Sequence, residues 1–328
     1  MDTVRLAGAD VEASCLGFGC ASLGSRISPR SARAALEHAF DAGVTWYDVA
    51  PAYGAGTAET VLGEFVKGKA DQVFVCTKVG LIAPNDTPAK RVARALIRPL
   101  AAAAKPVRDA IRSSGVTANR TVPLTPELVR VSLENSLRRL GIEQVALYAL
   151  HNARPADMAR EDIRRALEDL LAAGKTRAVG VTGADAAAAT LKSCSGEVME
   201  HAQHAESVLD REGPYRVIQL AQPVSDSPEA ALISCAARKG MGCVTHSVFG
   251  ALGQLRSRLL ADPALAGRMT EAGFADAGSL LMARARAVNP HGVVLSSMAS
   301  NDHLQANLAA IAQPNLAEAQ RLLSDLRL

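Results

Sequence analysis

Residues 45–54 read T-W-Y-D-V-A-P-A-Y-G, and their interpretation decides the fold. From Val44 to Ala50 the chain is apolar, with β-branched or aromatic side chains at several positions, and it is bounded by Gly43 and Pro51. That pattern describes a buried strand ending at a turn. Asp48 falls where the strand runs out, and Tyr53 lies in the loop beyond. In a barrel of alternating strands and helices, chemistry is placed at the C-terminal ends of the strands. A carboxylate and a phenol there need partners, and the ends of later strands supply them.

Outward from this stretch the pattern repeats. Residues 3–6 and 11–14 alternate around Gly8-Ala9-Asp10, as an N-terminal hairpin would. Cys15–Gly24 is a short apolar strand, and Ser28-Pro29 supplies a cap and first-turn proline for a helix to Ala42. After the Thr45–Ala50 strand come a helix over Thr57–Val66 and a strand over Gln72–Val79, with Lys78 near its end. Thr125-Pro126-Glu127 opens a helix to Leu140 with Val129, Leu133, Leu137 and Leu140 on one face. Further strands are expected at Gln144–Leu150, Arg177–Thr182, Val217–Gln222, Gly242–Thr245 and Gly292–Ser297. Helices are expected over Arg160–Ala173, 184–211, 228–239, 277–288, 301–312 and 315–326. Eight strands separated by helical pattern have the period of a parallel α/β protein, and eight is the number that closes a (β/α)8 TIM barrel. A doubly wound open sheet is the structural rival. G-F-G-C-A-S at 17–22 and G-A-G-T-A-E at 54–59 both miss the third glycine of the dinucleotide fingerprint and read as turns.

Residues 81–124 interrupt this rhythm after the third strand. They carry eight basic side chains, from Lys90 to Arg120, against only Asp86 and Asp109, and prolines 84, 88, 99, 106 and 123 break them up. The plain reading is a solvated insertion within one domain spanning 1–328, and composition favours it. The functional reading is a lid that attracts an anionic or polyhydroxy substrate. The whole chain, at 328 residues, 48% hydrophobic and +3 in net charge, suits a globular protein with a large core. Near-neutral charge gives no reason to expect a nucleic-acid or membrane partner. No apolar run approaches the ~20 residues of a membrane span, and the first ten residues lack an export-signal core. With six scattered cysteines and no CxxC pair, the expected setting is a reducing cytoplasm, with thiols packed as small hydrophobes. Cys20 reads equally as pocket lining or as a packed thiol. His201 and His204 have metal-pair spacing but no third ligand, so no metal is expected.

Four polar groups fall at equivalent places: Asp48 and Tyr53 after the second strand, Lys78 at the end of the third, and His151 at the end of the fourth. Adjacent barrel strands lie ~4.8 Å apart, so these groups can converge. An ammonium beside a phenol stabilises the phenolate and lowers its pKa, and a carboxylate holds the ammonium in place. An imidazole can orient a carbonyl oxygen. Such a set protonates an alkoxide as hydride arrives, but contains no hydride source, so a nicotinamide is required.

D-V-A-P-A-Y-G at 48–54, T-K-V-G at 77–80, Y-A-L-H-N at 148–152 and G-K-T-R-A-V-G-V-T-G at 174–183 resemble the aldo-keto reductase superfamily. The likeness runs from L-G-F-G near residue 16 to L-Q-A-N-L near residue 304. It implies a (β/α)8 barrel with an N-terminal hairpin and C-terminal helices, using NAD(P)H without a dinucleotide fold. It implies Tyr53 as general acid/base, Asp48 and Lys78 as its tuning pair, and His151 as substrate orienter. Thr182, Gly183 and Gln219 fall where family members hold the nicotinamide carboxamide; Gly183 departs from the usual asparagine and has no side chain to offer. His246 replaces the stacking aromatic, followed by Ser247 and Gly250. Ser296, Ser297, Ser300, His303 and Asn307 stand in the phosphate region where Lys and Arg are common, and Arg256 and Arg258, in the loop after the seventh strand, are alternative phosphate partners. The cofactor expectation is NADP(H), with NAD(H) the alternative. The resemblance is nearest to bacterial sugar dehydrogenases, implying a small carbonyl or aldose substrate. The alternative is a catalytically weak nicotinamide-binding barrel that regulates or bridges a partner; a metal-dependent hydrolase has no ligand cluster to support it. Oligomeric state is not legible.

Overall fold

The structure is a computed structural model that describes residues 1–24, 27–82, 120–194, 213–223, 228–250, 254–261, 263–313 and 315–324. Most of the basic insertion, the His201/His204 pair and the end of the 184–211 helix therefore lie outside the described residues. Thr3–Leu6 (β1) and Val11–Ser14 (β2) form an antiparallel hairpin. The barrel strands are Leu16–Gly19 (β3), Trp46–Asp48 (β4), Phe74–Val79 (β5), Val145–Leu150, Thr176–Thr182, Tyr215–Ala221, Gly242–His246 and Val293–Ser296. Between the third and fourth of these, Leu81–Ile82 (β6) and Arg120–Thr121 (β7) pair across the base of the insertion. Numbering onward, the remaining barrel strands are β8 to β12. Hydrogen bonding closes the ring in the order β10-β11-β12-β3-β4-β5-β8-β9, with every barrel pairing parallel. The closed ring bears out the barrel and excludes the open-sheet rival.

Local chemistry explains where the helices begin. Ser28 accepts from the Ser31 N–H and caps Pro29–Asp41. Thr125 accepts from the Leu128 N–H and caps Pro126–Leu140. Asp276 and Ser279 form a reciprocal capping box at the start of Ala277–Val288. Each cap removes an orphan N–H, typically stabilising its helix by ~1 kcal/mol. The first strand is shorter than expected: after Gly19 the chain turns into a 3-10 segment at Cys20–Ser22. Helices Pro155–Ala159, Gln254–Leu260 and Pro263–Glu271 and the β6–β7 ladder were not foreseen. They are too short to show a period of their own.

The interior is built from aliphatic side chains, as the 3% aromatic content requires. Trp46 is fully buried beside Gly17, where an added Cβ would stand 2.9 Å from its Cδ1 and 2.6 Å from Leu295 Cδ2. Tyr47, the next residue, faces the helical layer and packs on Phe18 and Phe65. Among the described residues, Cys15, Cys20, Cys76, Cys235 and Cys243 are free, buried thiols. No helix among them is long and apolar enough to cross a membrane. The hairpin closes one end of the barrel: its turn residue Ala7 approaches Gly242 so closely that a Cβ there would meet Ala7 O at 2.4 Å. That is the N-terminal end of β11, so the opposite end is left for the site.

Candidate active site

Register carries the polar groups to one face and one level. Gly19 lies opposite Asp48, Asp48 opposite Cys76, and Thr182 opposite Gln219. Residues in register share a face of the sheet, and alternation along each strand keeps that face inward. Asp48 and Lys78 are both buried. Lys78 Nζ donates to Asp48 Oδ1 at 2.5 Å and to the Val49 carbonyl at 3.2 Å. Gln219, from the far side of the ring, donates through Nε2 to Asp48 Oδ2 at 3.0 Å. The carboxylate thus holds the ammonium with one oxygen and the glutamine with the other.

Tyr53 opens a 3-10 turn, Tyr53–Gly56, whose Gly54 and Gly56 have φ of 57° and 88°. At Gly54 the close approach of Leu23 O, 2.5 Å from a Cβ, also forbids a side chain. The turn sets the half-buried Tyr53 ring 5.3 Å from Lys78 Nζ and 6.1 Å, edge to face, from the His151 ring. His151 is held by its own backbone N–H, which donates to Val79 O at 2.6 Å. The four groups expected to converge do converge.

Their electrostatics differ from the sequence expectation in one respect. Burial drives the Tyr53 phenol upward; Lys78 pulls it down and Asp48 pushes it up again, and the result lies above the ordinary phenol value. The expected lowering by Lys78 is present but is outweighed, because the same walls that bring the ammonium close also exclude water. For Lys78, burial works against the ammonium, yet the Asp48 carboxylate overcomes it, with Tyr53 and Cys76 adding, and the net shift is upward. His151 is lowered to about 3 by burial, then by Lys78 and His246, so its imidazole is neutral at physiological pH. His246 is lowered too, by burial first, with Asp48 opposing and Lys78 assisting. Cys20 is fully enclosed and its thiol is raised by burial and by Asp48, which settles it as a packed thiol.

The other expected site residues fall around the same mouth. Thr182 ends β9, but its hydroxyl is engaged: it accepts from the Asn152 N–H at 2.9 Å and donates to Asn152 Oδ1 at 3.3 Å. Gly183 has φ 101°, and a Cβ there would lie 3.3 Å from Asn152 Oδ1. Asn152 itself takes a left-handed backbone with φ 55°, a conformation that asparagine tolerates better than most residues. Its amide therefore occupies the space beside Gly183. Sequence reading passed over Asn152, although it stands in the quoted Y-A-L-H-N. Gln219 Oε1 is buried with no partner among the described residues. His246 ends β11 with Nδ1 2.9 Å from Ser247 Oγ, and Ser247 in turn has φ 58° and accepts the Gly250 N–H through its carbonyl at 2.8 Å. After β12, Ser296 Oγ accepts from Asn307 Nδ2 at 2.9 Å, and Ser297 Oγ is 3.0 Å from Ser22 Oγ. Ser300 caps the helix Asn301–Ile311 by accepting the His303 N–H, and His303 is exposed. Arg256 is exposed on its helix and paired with Asp276 at 3.1 Å. A separate cleft of about 780 Å³, lined by Arg5, Met241 and Asn289 among others, holds none of these side chains.

A closed eight-stranded parallel barrel with this constellation at one mouth defines a (β/α)8 protein whose polar site lies at the strand C-termini. Residues 15–281 match the model of the aldo/keto reductase family, and the chain belongs to that family. It is 32% identical over 192 residues to D-threo-aldose 1-dehydrogenase of a Pseudomonas species, covering 53% of this chain and 51% of that protein. It is 30% identical over 182 residues to pyridoxal 4-dehydrogenase of Microbacterium luteolum, covering 51% of each. The matched part of the chain thus spans about half the length of these curated relatives. Among solved structures, an aldo-keto reductase from Klebsiella pneumoniae in complex with NADPH superposes with a TM-score of 0.66 at 22% identity, over 100% of this chain and 96% of that one. The glycerol dehydrogenase from Gluconobacter oxydans superposes with a TM-score of 0.71 at 17% identity, over 99% and 94%. At those identities the structures speak for the shared fold.

Proposed function

We propose that this chain is an NAD(P)(H)-dependent oxidoreductase interconverting a carbonyl and an alcohol on a small molecule, with Tyr53 as general acid/base. The observation that carries this reading is the buried Lys78 ammonium, clamped by Asp48 and standing 5.3 Å from the Tyr53 ring, with His151 across from it. An ammonium held beside a phenol favours the phenolate that a proton transfer at Tyr53 leaves behind.

The fit of a nicotinamide rests on Gln219, whose buried amide oxygen lacks a donor among the described residues. A cofactor carboxamide N–H is a donor of the right kind. Thr182 holds Asn152 through its backbone N–H and Oδ1, so the Asn152 side-chain amide N–H groups are the donors to offer to the other edge of that group. His246 and Ser247 would lie along the ring, and Gly250, with Ser296, Ser297, His303 and Asn307, along the phosphates. The start of helix Asn301–Ile311 offers a favourable dipole to a phosphate, with Asp302 in its first turn opposing, and by itself does not separate NADP(H) from NAD(H). Arg256, already paired with Asp276, is the weakest candidate of the set. When bound, the nicotinamide supplies or accepts the hydride.

The chain's own residues handle the proton. The neutral His151 imidazole offers an N–H to the substrate oxygen and orients the carbonyl. Tyr53, held protonated by its raised pKa, donates to the oxygen that gains charge during reduction. An alkoxide is far more basic than a phenolate, so the raised pKa does not prevent this transfer. Lys78 then faces the phenolate left behind, and Asp48 and Gln219 keep the ammonium aimed. In oxidation the same groups run in reverse. The aldose dehydrogenase named among the relatives makes a sugar oxidised at its anomeric carbon the first substrate class to try.

The test is nicotinamide absorbance with purified protein: NADPH and NADH against aldehydes and ketones, NADP and NAD against free aldoses, and Tyr53→Phe in parallel. Turnover that falls about 100-fold or more in Tyr53→Phe is expected for loss of a general acid. Cofactor binding without turnover by any pair would overturn the enzyme reading in favour of a regulatory barrel.

A further inference from the structure

The helix Thr57–Val66 carries Glu59 in its first turn, where an acidic side chain suits the helix dipole and ordinarily faces water. Glu59 is 0% exposed. Its Oε1 accepts from Thr77 Oγ1 at 2.7 Å, and its Oε2 accepts from Arg139 Nε at 2.7 Å and Nη2 at 2.6 Å. Arg139 is steadied by Ser136 Oγ at 3.4 Å. A carboxylate so enclosed keeps its place only because every partner is present.

Two short paths lead from Glu59 to the pair at the barrel mouth. Thr77 immediately precedes Lys78 on β5, and alternation turns the two side chains to opposite faces. Glu59 therefore grips from outside the strand that presents Lys78 inside. The second path runs back along the chain. The helix begins where the Tyr53–Gly56 turn ends, and Thr57 Oγ1 donates to Gly54 O at 2.6 Å, closing that turn. The helix is seated as well as tethered: at Gly63 a Cβ would meet Arg139 O at 2.4 Å and Leu140 Cα at 2.9 Å. One carboxylate thus joins the element that carries Tyr53, the strand that carries Lys78, and the helix Pro126–Leu140 behind both.

We propose that Glu59 is a positioning residue that, through Thr77 on one side and the Tyr53–Gly56 turn on the other, fixes the approach of the Lys78 ammonium to the Tyr53 phenol. This rests on the assignment of Tyr53 and Lys78 to proton transfer. Glu59 touches neither substrate nor cofactor; its effect is on geometry, where an error of ~1 Å at reacting groups can cost about 100-fold in rate.

The experiment uses Thr77→Val, which removes the hydroxyl and keeps the shape, with Thr77→Ser as the conservative rescue and Glu59→Gln as the direct variant. Two readouts are taken. The first is kcat and KM with the best substrate, alongside cofactor affinity from Trp46 fluorescence. The second is the pH titration of the Tyr53 ¹³Cζ resonance in tyrosine-labelled protein, assigned by its loss in Tyr53→Phe from a spectrum of only four tyrosines. We expect Thr77→Val to lower kcat about 10- to 100-fold with cofactor affinity unchanged. The Tyr53 midpoint should rise by about half a unit or more as the ammonium recedes, and Thr77→Ser should restore both. Glu59→Gln should move the same two quantities further. A folded Thr77→Val with the parent's kcat and the parent's Tyr53 midpoint overturns the proposal, even if Glu59→Gln fails to fold. If the parent turns nothing over, the oxidoreductase reading fails by itself. The resonance then decides alone: a shifted midpoint upholds the brace and an unshifted one removes it.

Discussion

Lys78→Met removes the cation from beside Asp48, and the cost can be worked from the contacts. The side chains of the pair are 1% and 4% exposed and meet at 2.5 Å. Deleting one partner of a buried pair leaves the other uncompensated, at about 3–5 kcal/mol. In Lys78→Met the carboxylate keeps the Gln219 Nε2 bond at 3.0 Å, so the lower end, about 3 kcal/mol, is expected. In Asp48→Asn the ammonium keeps Val49 O at 3.2 Å and an amide oxygen, but no counter-charge, so the upper end, about 5 kcal/mol, is expected. The double variant holds no buried charge at this position and should be more stable than the sum of the single losses implies, by about 2 kcal/mol. Urea unfolding reports this directly through Trp46, the single tryptophan, which is buried two residues before Asp48. Single losses that add to within about 0.5 kcal/mol would refute the claim that the two charges stabilise the barrel as one unit.

The direction of the Tyr53 shift fixes the pH behaviour of the two reaction directions. Reduction needs the protonated phenol, and a pKa raised above its ordinary value keeps it protonated, so the reductive rate should be flat from about pH 6 to 9. Oxidation needs the phenolate and should climb about tenfold per pH unit over that window. His151, lowered to about 3, adds no break near the ordinary histidine value; a reductive limb centred near pH ~6.5 in steady-state profiles would contradict this assignment. Asn152→Ala should weaken cofactor binding about fivefold, the loss of one ordinary hydrogen bond, and should weaken a 3-acetylpyridine analogue, which keeps the carbonyl, by the same factor. Parent affinity for both cofactors in fluorescence titrations would remove Asn152 from the cofactor site.

Residues whose partners lie within a few positions were legible from the chain itself. Ser28-Pro29 and Thr125-Pro126 announced helix starts, because a cap bonds an N–H only three residues away. The hairpin around Gly8-Ala9-Asp10 and the eight strands were visible as changes of period, and Asp48, Tyr53, Lys78 and His151 were placed because a strand end is a local event. The engagement of Thr182 was not legible for the converse reason: its hydroxyl bonds Asn152, thirty residues earlier, and nothing in the spacing indicates that. Glu59 was passed over because a first-turn acid ordinarily faces solvent; its burial needs Arg139 from a helix 80 residues on.

What the sequence alone determined, then, is the strand–helix period, the caps, and which side chains stand at strand ends. All of these depend on neighbours along the chain. Only the tertiary structure decided that Gln219 reaches across the ring to Asp48 from 171 residues away, and that an outside carboxylate braces the Lys78 strand. It also decided that burial outweighs Lys78 at Tyr53. A pKa is set by the balance between desolvation and nearby charge, and both depend on distances that exist only once the barrel has closed.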